Sequence, residues 1–328
     1  MRKPALIIFI SLFAFNFVFG QDKEKYAELV KEAKSLYKSK EYLKSGQKYS
    51  EAFVALEGEI IVNDRYNAAC SWALANMPDS AFVQLFKVAE KGIFTNAIIE
   101  HITTDIDLNS LHKDTRWIEM MNIIKNRKEQ AEAKQDKHLV AILDTIYQDD
   151  QKYRKDLPDI EKQYGGMSEE MKEQWKIINQ KDSINLIKVK KILDERGWLG
   201  SDIIGVQGNV TLYLVIQHSN PETREKYLSL MREAVKNGNA SPVNLAYLED
   251  RTALGKGEKQ IYGSQVMYLY ETKEHFVQPL IDPENVDKRR AEVGLGTMQD
   301  YLFTNFGINW DVEEYKKKLS EYEAKKQK

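Results

Sequence analysis

The chain has 328 residues, 30% of them charged, and a formal net charge of −2 at pH 7. Because positive and negative side chains nearly cancel, the composition gives no electrostatic reason to bind nucleic acid. One cysteine excludes an intramolecular disulfide, and the low counts of proline (7) and glycine (17) favour an α-rich fold.

The first 20 residues have the three parts of a secretory signal peptide. Two basic residues precede an uncharged apolar run from Ala5 to Phe19, and Gly20 is the small residue before the expected cleavage. The run is shorter than the roughly 18–20 apolar residues that span a bilayer, although an N-terminal membrane anchor is the alternative. Cys70 lies far from the cleavage site, so a lipoprotein is not expected. These features predict a periplasmic or secreted protein with no transmembrane segment in its mature part.

Residues 22–127 are predicted to form a module of paired helices. Small and apolar residues recur at helical spacing, and Ala33 and Tyr49 find counterparts in Ala69 and Leu85. This recurrence, after about 36 residues, resembles a tetratricopeptide-type repeat, whose period is about 34. Because so few repeats rarely stand alone, we expect residues 105–125 to cap the module with a further helical segment.

The remaining chain is predicted to be a mainly α domain behind a linker. Residues 128–137 are charged and indicate a solvent-exposed helical linker, and residues 138–305 form the second domain. Its apolar segment 201–219 fits a helix or a strand, and we favour a buried helix because no partner strand lies nearby in sequence. Residues 261–280 alternate loosely and predict a small β-hairpin. Residues 306–328 predict a charged C-terminal helix.

The long helix predicted to end near Arg196 carries two polar residues on its apolar face. Asp182 and Asn185 share that face with Trp175, Ile178 and Val189. A buried carboxylate is costly unless it is paired. The two residues are therefore interpreted either as a structural hydrogen-bonded pair or as a carboxylate and an amide that face a ligand.

Further candidates lie at the end of the apolar segment and beyond it. Gln217 and His218 end that segment, and His218 could be a general base, a ligand donor or a buried structural histidine. Arg251 could bind a carboxylate or phosphate. The other candidates are the carboxylate Asp250 and the ligand-binding residues Tyr262 and Gln265.

The sequence contains no complete catalytic or cofactor-binding motif. Ser264, His218 and Asp250 are the residue types of a hydrolytic triad, but no Gly-x-Ser-x-Gly elbow surrounds the serine. A sequence cluster at His101, Asp105, Asp107 and His112 lacks a recognised metal-ligand spacing, and Gly255-Lys256-Gly257 lacks the spacing of a phosphate loop. We therefore predict no cofactor and no metal site.

Several segments together resemble an uncharacterised bacterial family, domain of unknown function 6624, over about residues 139–303. They are Asp149-Asp150-Gln151-Lys152-Tyr153-Arg154, Trp175 with Asp182 and Asn185, Gly197-Trp198, Leu214-Val215-Ile216-Gln217-His218, Ala246-Tyr247-Leu248-Glu249-Asp250-Arg251, Gln260-Ile261-Tyr262-Gly263-Ser264-Gln265, Pro279-Leu280-Ile281-Asp282 and Arg289-Arg290. Ser264 stands where the motif is associated with threonine, and a hydroxyl is retained. The resemblance implies no established activity. It implies an exported protein of Bacteroidetes-type bacteria.

Two hypotheses about function follow. In the first, the protein binds a small polar or anionic ligand or a protein partner in the bacterial envelope, because its front resembles helical repeats. In the second, it is a cofactor-free hydrolase in which His218 is the general base, Asp182 or Asp250 orients it, and Arg251 or Gln265 holds the substrate. The second hypothesis requires those side chains to meet in one cleft.

Overall fold

The computed structural model describes residues 11–56, 61–269 and 272–326. Residues 1–10 of the predicted signal peptide lie outside the described residues. The chain divides into two compact units, Met1–Ala133 and Lys134–Lys328. Among the described residues, no helix is long and apolar enough to cross a membrane. The predicted fold class is confirmed, since helices dominate both units and the described part contains one small two-stranded antiparallel sheet.

The first unit is built from consecutive helices. They are α1 (Ser11–Lys38), α2 (Tyr42–Ala55), α3 (Val62–Leu74), α4 (Pro78–Lys91), α5 (Asn96–Thr104) and α6 (Thr115–Glu132), with a 3-10 turn at Ile106–Leu111. Helices that are consecutive in sequence pack against each other, α1 with α2 and α3 with α4. This is the repeat-like packing that the recurrent pattern predicts. Membership of the tetratricopeptide class itself stays a prediction.

Small residues allow the helices of the first unit to approach closely. A Cβ atom added to Gly46 of α2 would lie 2.6 Å from the ring of Trp72 on α3. Ser45 is fully buried beside it, and its hydroxyl donates to the carbonyl of Ala33 on α1 at 2.8 Å. The expected capping segment buries six large apolar side chains, namely Leu108, Leu111, Trp117, Met120, Met121 and Ile124, and leaves Ile106 and Ile118 exposed. Together these contacts form one continuous apolar core.

The second unit begins with a helix that follows a short turn after α6. Its elements are α7 (Lys137–Lys155), α8 (Leu157–Tyr164), α9 (Glu169–Arg196), α10 (Ser201–Gln217), α11 (Pro221–Lys236), α12 (Pro242–Gly255), β1 (Val266–Leu269), β2 (Glu274–Val277), α13 (Val286–Glu292), α14 (Met298–Phe306) and α15 (Val312–Lys326), with a 3-10 turn at Pro283–Asn285. α7 and α9–α12 share one core, and the hairpin shares a second core with α13–α15.

Local sequence signals explain where these helices begin and end. The Ser168 hydroxyl accepts a hydrogen bond from the amide of Met171 at 3.1 Å and caps α9, which ends at Gly197 with φ at 70°. Prolines occupy the first turns of α11 and α12. The apolar segment 201–219 is the buried helix α10, as predicted. Gly205 interrupts its first turns with φ at 71°, a conformation that disfavours other residues.

The predicted hairpin is present but shorter than the alternating pattern. Val266 pairs with Val277 and Leu269 with Glu274. Residues 260–265 do not extend the first strand, because their backbone folds over a buried carboxylate, described below. Gln260 instead forms an isolated bridge with Leu280.

Candidate functional site

A buried aspartate holds the imidazole of His218. Oδ1 of Asp150, near the end of α7, lies 3.0 Å from Nδ1 of His218, the residue that caps the C-terminus of α10. The Asp150 side chain is only 1% exposed, whereas that of His218 is 19% exposed. Because an ionised carboxylate only accepts hydrogen bonds, this contact places the proton of a neutral imidazole on Nδ1. Nε2 is then an acceptor.

Arg154 joins the same aspartate to the long helix α9. Its Nη1 donates to the carbonyl of Asp150 at 2.7 Å, and its Nη2 donates to Oδ2 of Asp182 at 2.6 Å. Nη1 also lies 3.4 Å from Oδ1 of Asp150. Buried carboxylates require such compensation, so Arg154 stabilises both negative charges at the junction of α7 and α9.

Asp182 and His218 lie close together, as the enzyme hypothesis requires. A carboxylate oxygen of Asp182, one of Asp150 and a ring nitrogen of His218 all lie within 4.8 Å of one another. Oδ1 of Asp182 is buried and has no hydrogen-bond partner among the described residues. The residue that contacts Nδ1 is nevertheless Asp150, not Asp182 or Asp250.

These side chains face a small cleft of about 250 Å³. Polar residues line most of it: Asp150, Asn179, Asp182, Ser183, His218, Ser219 and Asn220, with Leu186 and Val215. Within the described part of the chain, the only side-chain hydrogen bond of His218 is the one to Asp150. Nε2 is therefore available to a molecule that enters the cleft.

The electrostatics of the site keep Asp150 ionised. Burial raises the pKa of the Asp150 carboxyl, but the hydrogen bond from His218 and the charges of His218 and Arg154 outweigh that effect. The pKa of Asp150 therefore lies below its ordinary value. A carboxylate that stays charged at neutral pH can stabilise a proton on the imidazole.

Three arginines form a cationic cluster in this unit, which we call the arginine cluster: Arg154, Arg224 and Arg251. Burial lowers the pKa of Arg251, and the charge of Arg154 acts in the same direction. Burial likewise lowers the pKa of Arg224, and the charge of Arg251 adds to the effect. Arg224 donates to the carbonyl of Ser219, next to His218. Within the described ranges, neither Arg224 nor Arg251 has a carboxylate within 4.0 Å, although the more distant charge of Glu222 raises the pKa of Arg224.

Asp250, the second predicted carboxylate, accepts hydrogen bonds from backbone amides and not from His218. Its side chain is fully buried, and its oxygens accept hydrogen bonds from the amides of Ile261 (2.6 Å), Tyr262 (2.9 Å) and Ser264 (2.9 Å). Burial raises the pKa of Asp250 against the opposing effect of these amides. The carboxylate thus fixes the loop before β1. The hydroxyl of Ser264 accepts a hydrogen bond from Gln265 at 2.9 Å, and among the described residues no hydrogen bond joins it to His218, so the triad arrangement is not formed.

The remaining predicted ligand-binding residues hold parts of the fold together. Arg251 donates through Nε to Oε1 of Gln265 at 3.1 Å, and the hydroxyl of Tyr262 donates to Glu249 at 3.3 Å. Asn185 is fully buried and donates to the carbonyl of Ile146 at 3.5 Å. Gln217 donates to the carbonyl of Tyr247 at 3.4 Å.

Two of these amides keep an unused acceptor. Oδ1 of Asn185 and Oε1 of Gln217 are buried without a partner among the described residues.

Trp175 departs from the predicted buried face, because it is 44% exposed and lines a shallow groove on the first half of α9. The buried residues of α9 are Met171, Ile178, Asn185, Val189 and Leu193, so the exposed Trp175 lies between two buried positions.

Sequence reasoning missed Asp150 and Arg154 as site residues. Both lie in a charged stretch that shows no obvious apolar pattern. The usable signal was spacing, since Asp150 follows Leu139, Leu143 and Ile146 on the buried face of α7.

Within the described ranges, two groups of side chains have donor atoms close enough to hold a metal ion. One is Asp150, Asp182 and His218, where Arg154 already compensates the carboxylates. The other is Cys70, Asp105 and Asp107 in the first unit. The first group is therefore better suited to proton transfer than to holding a cation.

Comparison with known proteins extends the resemblance seen in the sequence. No curated protein and no solved structure matches the chain. The model of a family of unknown function, DUF6624, matches residues 137–307, which is slightly more than half of the chain. The matched residues include α7, α9 and α10, and with them Asp150, Asp182 and His218. The chain therefore belongs to the DUF6624 family.

Proposed function

We propose that the DUF6624 domain of this protein is a hydrolase that uses His218 as its general base on a small anionic substrate. The observation that carries the proposal is the 3.0 Å contact between Oδ1 of Asp150 and Nδ1 of His218. A base oriented by a buried carboxylate, with its second nitrogen facing a cleft, is the arrangement that general-base catalysis requires.

The chemistry follows from the two ring nitrogens. Nε2 removes a proton from a water molecule, and the resulting hydroxide attacks the electrophilic atom of the substrate. The imidazolium then returns the proton to the leaving group. Asp150 does not take up a proton, but it stabilises the imidazolium between the two steps. General acid–base catalysis of this kind contributes roughly 10²–10⁴-fold to a rate.

The arginine cluster supports an anionic substrate. Arg224 and Arg251 are partly buried and have no carboxylate within 4.0 Å among the described residues, which is unfavourable for a guanidinium group, and a bound carboxylate or phosphate would relieve them. Arg224 contacts the carbonyl of Ser219, which lines the cleft, and Arg154 contacts Asp150 and Asp182. A cleft of about 250 Å³ suits a small molecule and not a polymer segment.

The proposal is tested with three chromogenic substrates: p-nitrophenyl phosphate, bis-p-nitrophenyl phosphate and p-nitrophenyl acetate. The purified protein is expected to hydrolyse at least one of the two anionic substrates faster than the neutral ester. His218→Gln keeps the size and polarity of the side chain and should reduce that rate by about 10²–10⁴-fold. Turnover of none of the three, or equal rates for wild type and His218→Gln, would contradict the proposal.

A second candidate function is ligand binding without turnover. It is favoured by one observation: among the described residues, no serine, threonine or cysteine hydrogen-bonds Nε2 of His218, so the chain offers no nucleophile of its own there. The repeat-like first unit would then bind a protein partner, and the cleft a small polar or anionic ligand. Inorganic phosphate should in that case raise the melting temperature equally in wild type and His218→Gln, with no substrate hydrolysed.

We further propose that residues 1–20 are a cleaved signal peptide and that the protein acts in the periplasm or outside the cell. The support is the basic start, the apolar run and the small residue at Gly20. Mass spectrometry of protein recovered from the envelope of a Gram-negative host should show a chain that begins near Gln21. An uncleaved chain that stays in the membrane fraction would contradict this part of the proposal.

A further inference from the structure

The first unit contains a second convergence of ligand-type side chains. Cys70 comes from α3, His101 from the last turn of α5, and Asp105 and Asp107 from the start of the 3-10 turn that follows. Sγ of Cys70 lies 3.8 Å from Oδ2 of Asp105, and Nε2 of His101 lies 3.8 Å from the same oxygen. The donor atoms of Cys70, Asp105 and Asp107 all lie within 4.8 Å of one another.

The charges of this cluster are not balanced. Asp105 and Asp107 are both partly buried. In the described part of the chain, neither has a lysine or arginine within 4.0 Å, and only the imidazole of His101 approaches Asp105. Asp150 and Asp182 differ from this pair, because both of their carboxylates form ion pairs with Arg154. Two neighbouring carboxylates without a cation repel each other, and a bound cation would remove that repulsion.

A surrounding set of donors fixes the two carboxylates. The hydroxyl of Tyr66 donates to Oδ2 of Asp105 at 2.6 Å, and the amide of Asp107 donates to Oδ1 of Asp105 at 3.0 Å. The hydroxyl of Tyr37 donates to Oδ2 of Asp107. Hydrogen bonds of this kind orient metal-binding carboxylates in known sites. Cys70, only 4% exposed, lies on the inner side of the cluster, and His101 lies on the solvent side.

We propose that Cys70, His101, Asp105 and Asp107 bind one divalent transition-metal ion of the zinc class. Zinc is held at about 2.0–2.3 Å by sulfur, nitrogen and oxygen ligands in a tetrahedron, which places neighbouring ligand atoms about 3.6 Å apart. Two of the six separations in this set, from Oδ2 of Asp105 to Cys70 and to His101, are 3.8 Å and close to that value. The donor atoms of Cys70, Asp105 and Asp107 already converge within 4.8 Å, and the exposed His101 would turn toward the ion to complete the set. A thiolate and an imidazole in the set favour Zn²⁺ or Co²⁺ over Mg²⁺ and Ca²⁺, which prefer oxygen ligands.

Such an ion would have a structural role. Four protein ligands leave no open position for substrate, as in structural zinc sites. The ion would join α3 to α5 and the 3-10 turn, and so tie together parts of the first unit that are about 30 residues apart in sequence. This site belongs to the first unit and does not depend on the proposed chemistry of His218.

Cobalt(II) is the probe that tests the site. The purified protein, treated with a chelator and dialysed, is titrated with Co²⁺ and followed by absorption. We expect one Co²⁺ per chain, with the visible bands of four-coordinate cobalt and a thiolate-to-cobalt charge-transfer band in the near ultraviolet. Zn²⁺ should then displace Co²⁺ and raise the melting temperature of the protein.

Two variants of the proposed ligands and one control complete the test. Cys70→Ser should abolish the charge-transfer band, and His101→Ala, at an exposed position, should weaken Co²⁺ binding by more than about tenfold, since even outer partners of metal sites matter by 10–100-fold. His138→Ala removes an exposed histidine of the second unit and should leave binding unchanged. Circular dichroism checks that each variant is folded. Absence of Co²⁺ binding to the wild type, or an unchanged charge-transfer band in folded Cys70→Ser, would overturn the proposal.

Discussion

The carboxylate of Asp150 and the imidazole of His218 meet at 3.0 Å across the contact between α7 and α10. One partner is almost completely buried and the other reaches the cleft. The pair therefore connects the core of the domain to a surface where chemistry can occur.

Asp150→Asn should make the domain less stable in a pH-dependent way. At pH 7 the variant loses charge-assisted hydrogen bonds in a buried site, and we expect a loss of about 1–3 kcal/mol in the free energy of unfolding. The pKa of Asp150 is lowered in the folded protein, so its stabilising contribution is complete above the unfolded pKa of about 3.9. That contribution is lost as the pH falls through the lower, folded pKa.

Urea unfolding of the wild type and Asp150→Asn between pH 7 and pH 3 measures this difference. The gap between the two proteins should narrow below about pH 4, as the pH falls through the lowered pKa of Asp150 in the folded wild type. Asp159→Asn, an exposed position on α8, makes the same chemical change and should give almost no gap at any pH. A gap for Asp150→Asn that does not narrow below about pH 4 would show that the carboxylate is not stabilised in its charged form.

Asp250→Asn should destabilise the domain through the loop before β1. Oδ1 accepts the amides of Ile261 and Tyr262, and Oδ2 accepts that of Ser264. An asparagine can accept at only one of these positions, so at least one buried amide loses its partner, at about 1–3 kcal/mol. Asp159→Asn serves again as the control. Stability within about 0.5 kcal/mol of the wild type would contradict the role of Asp250 as an anchor for the loop.

Arg251→Met should separate anion binding from folding. Phosphate that binds the arginine cluster should stabilise the wild type by about 2.7 kcal/mol at a hundred times its dissociation constant. The variant keeps most of the side-chain volume but lacks the charge, so the stabilisation by phosphate should be small or absent. Arg196→Met removes a half-exposed arginine that pairs with Asp136, and it should respond to phosphate like the wild type. Equal phosphate responses of Arg251→Met and the wild type would exclude Arg251 from the anion site.

Gly46→Ala should destabilise the first unit despite the higher helix propensity of alanine. The new Cβ would lie 2.6 Å from the ring of Trp72, and overpacking of this kind costs about 1–3 kcal/mol. The higher helix propensity of alanine stabilises a helix by at most about 1 kcal/mol relative to glycine, which is too little to offset the clash. In a Trp72→Leu background the clash is absent, and the same substitution should become neutral or stabilising. Thermal unfolding of the four proteins checks the cycle, and an equal effect in both backgrounds would contradict the close approach of α2 and α3.

Much of the fold could be predicted because its signals are local. Ser168, Gly197, Pro221 and Pro242 mark helix ends through capping and fixed backbone angles, which depend on few neighbours. The buried helix α10 followed from an apolar run without a neighbouring strand. The kink at Gly205 could not be predicted, because a glycine inside a helical pattern is compatible with both a regular and an interrupted helix.

The site was predicted only in part because its contacts are distant in sequence. Asp182 and His218 were singled out by their positions on apolar elements, and they do lie close together. Asp150 is 68 residues from His218, and only its spacing on α7 indicated burial. Asp250 was placed in the site by residue type, whereas its partners are backbone amides that carry no sequence signal.

The clearest measurement of the central claim is the steady-state kinetics of Asp150→Asn beside those of the wild type and His218→Gln, on the anionic p-nitrophenyl substrate that the protein hydrolyses. If Asp150 positions His218 as the general base, kcat should fall by about 10²–10⁴-fold in both variants, while KM changes little. A kcat of Asp150→Asn equal to that of the wild type, with the variant folded, would contradict the account.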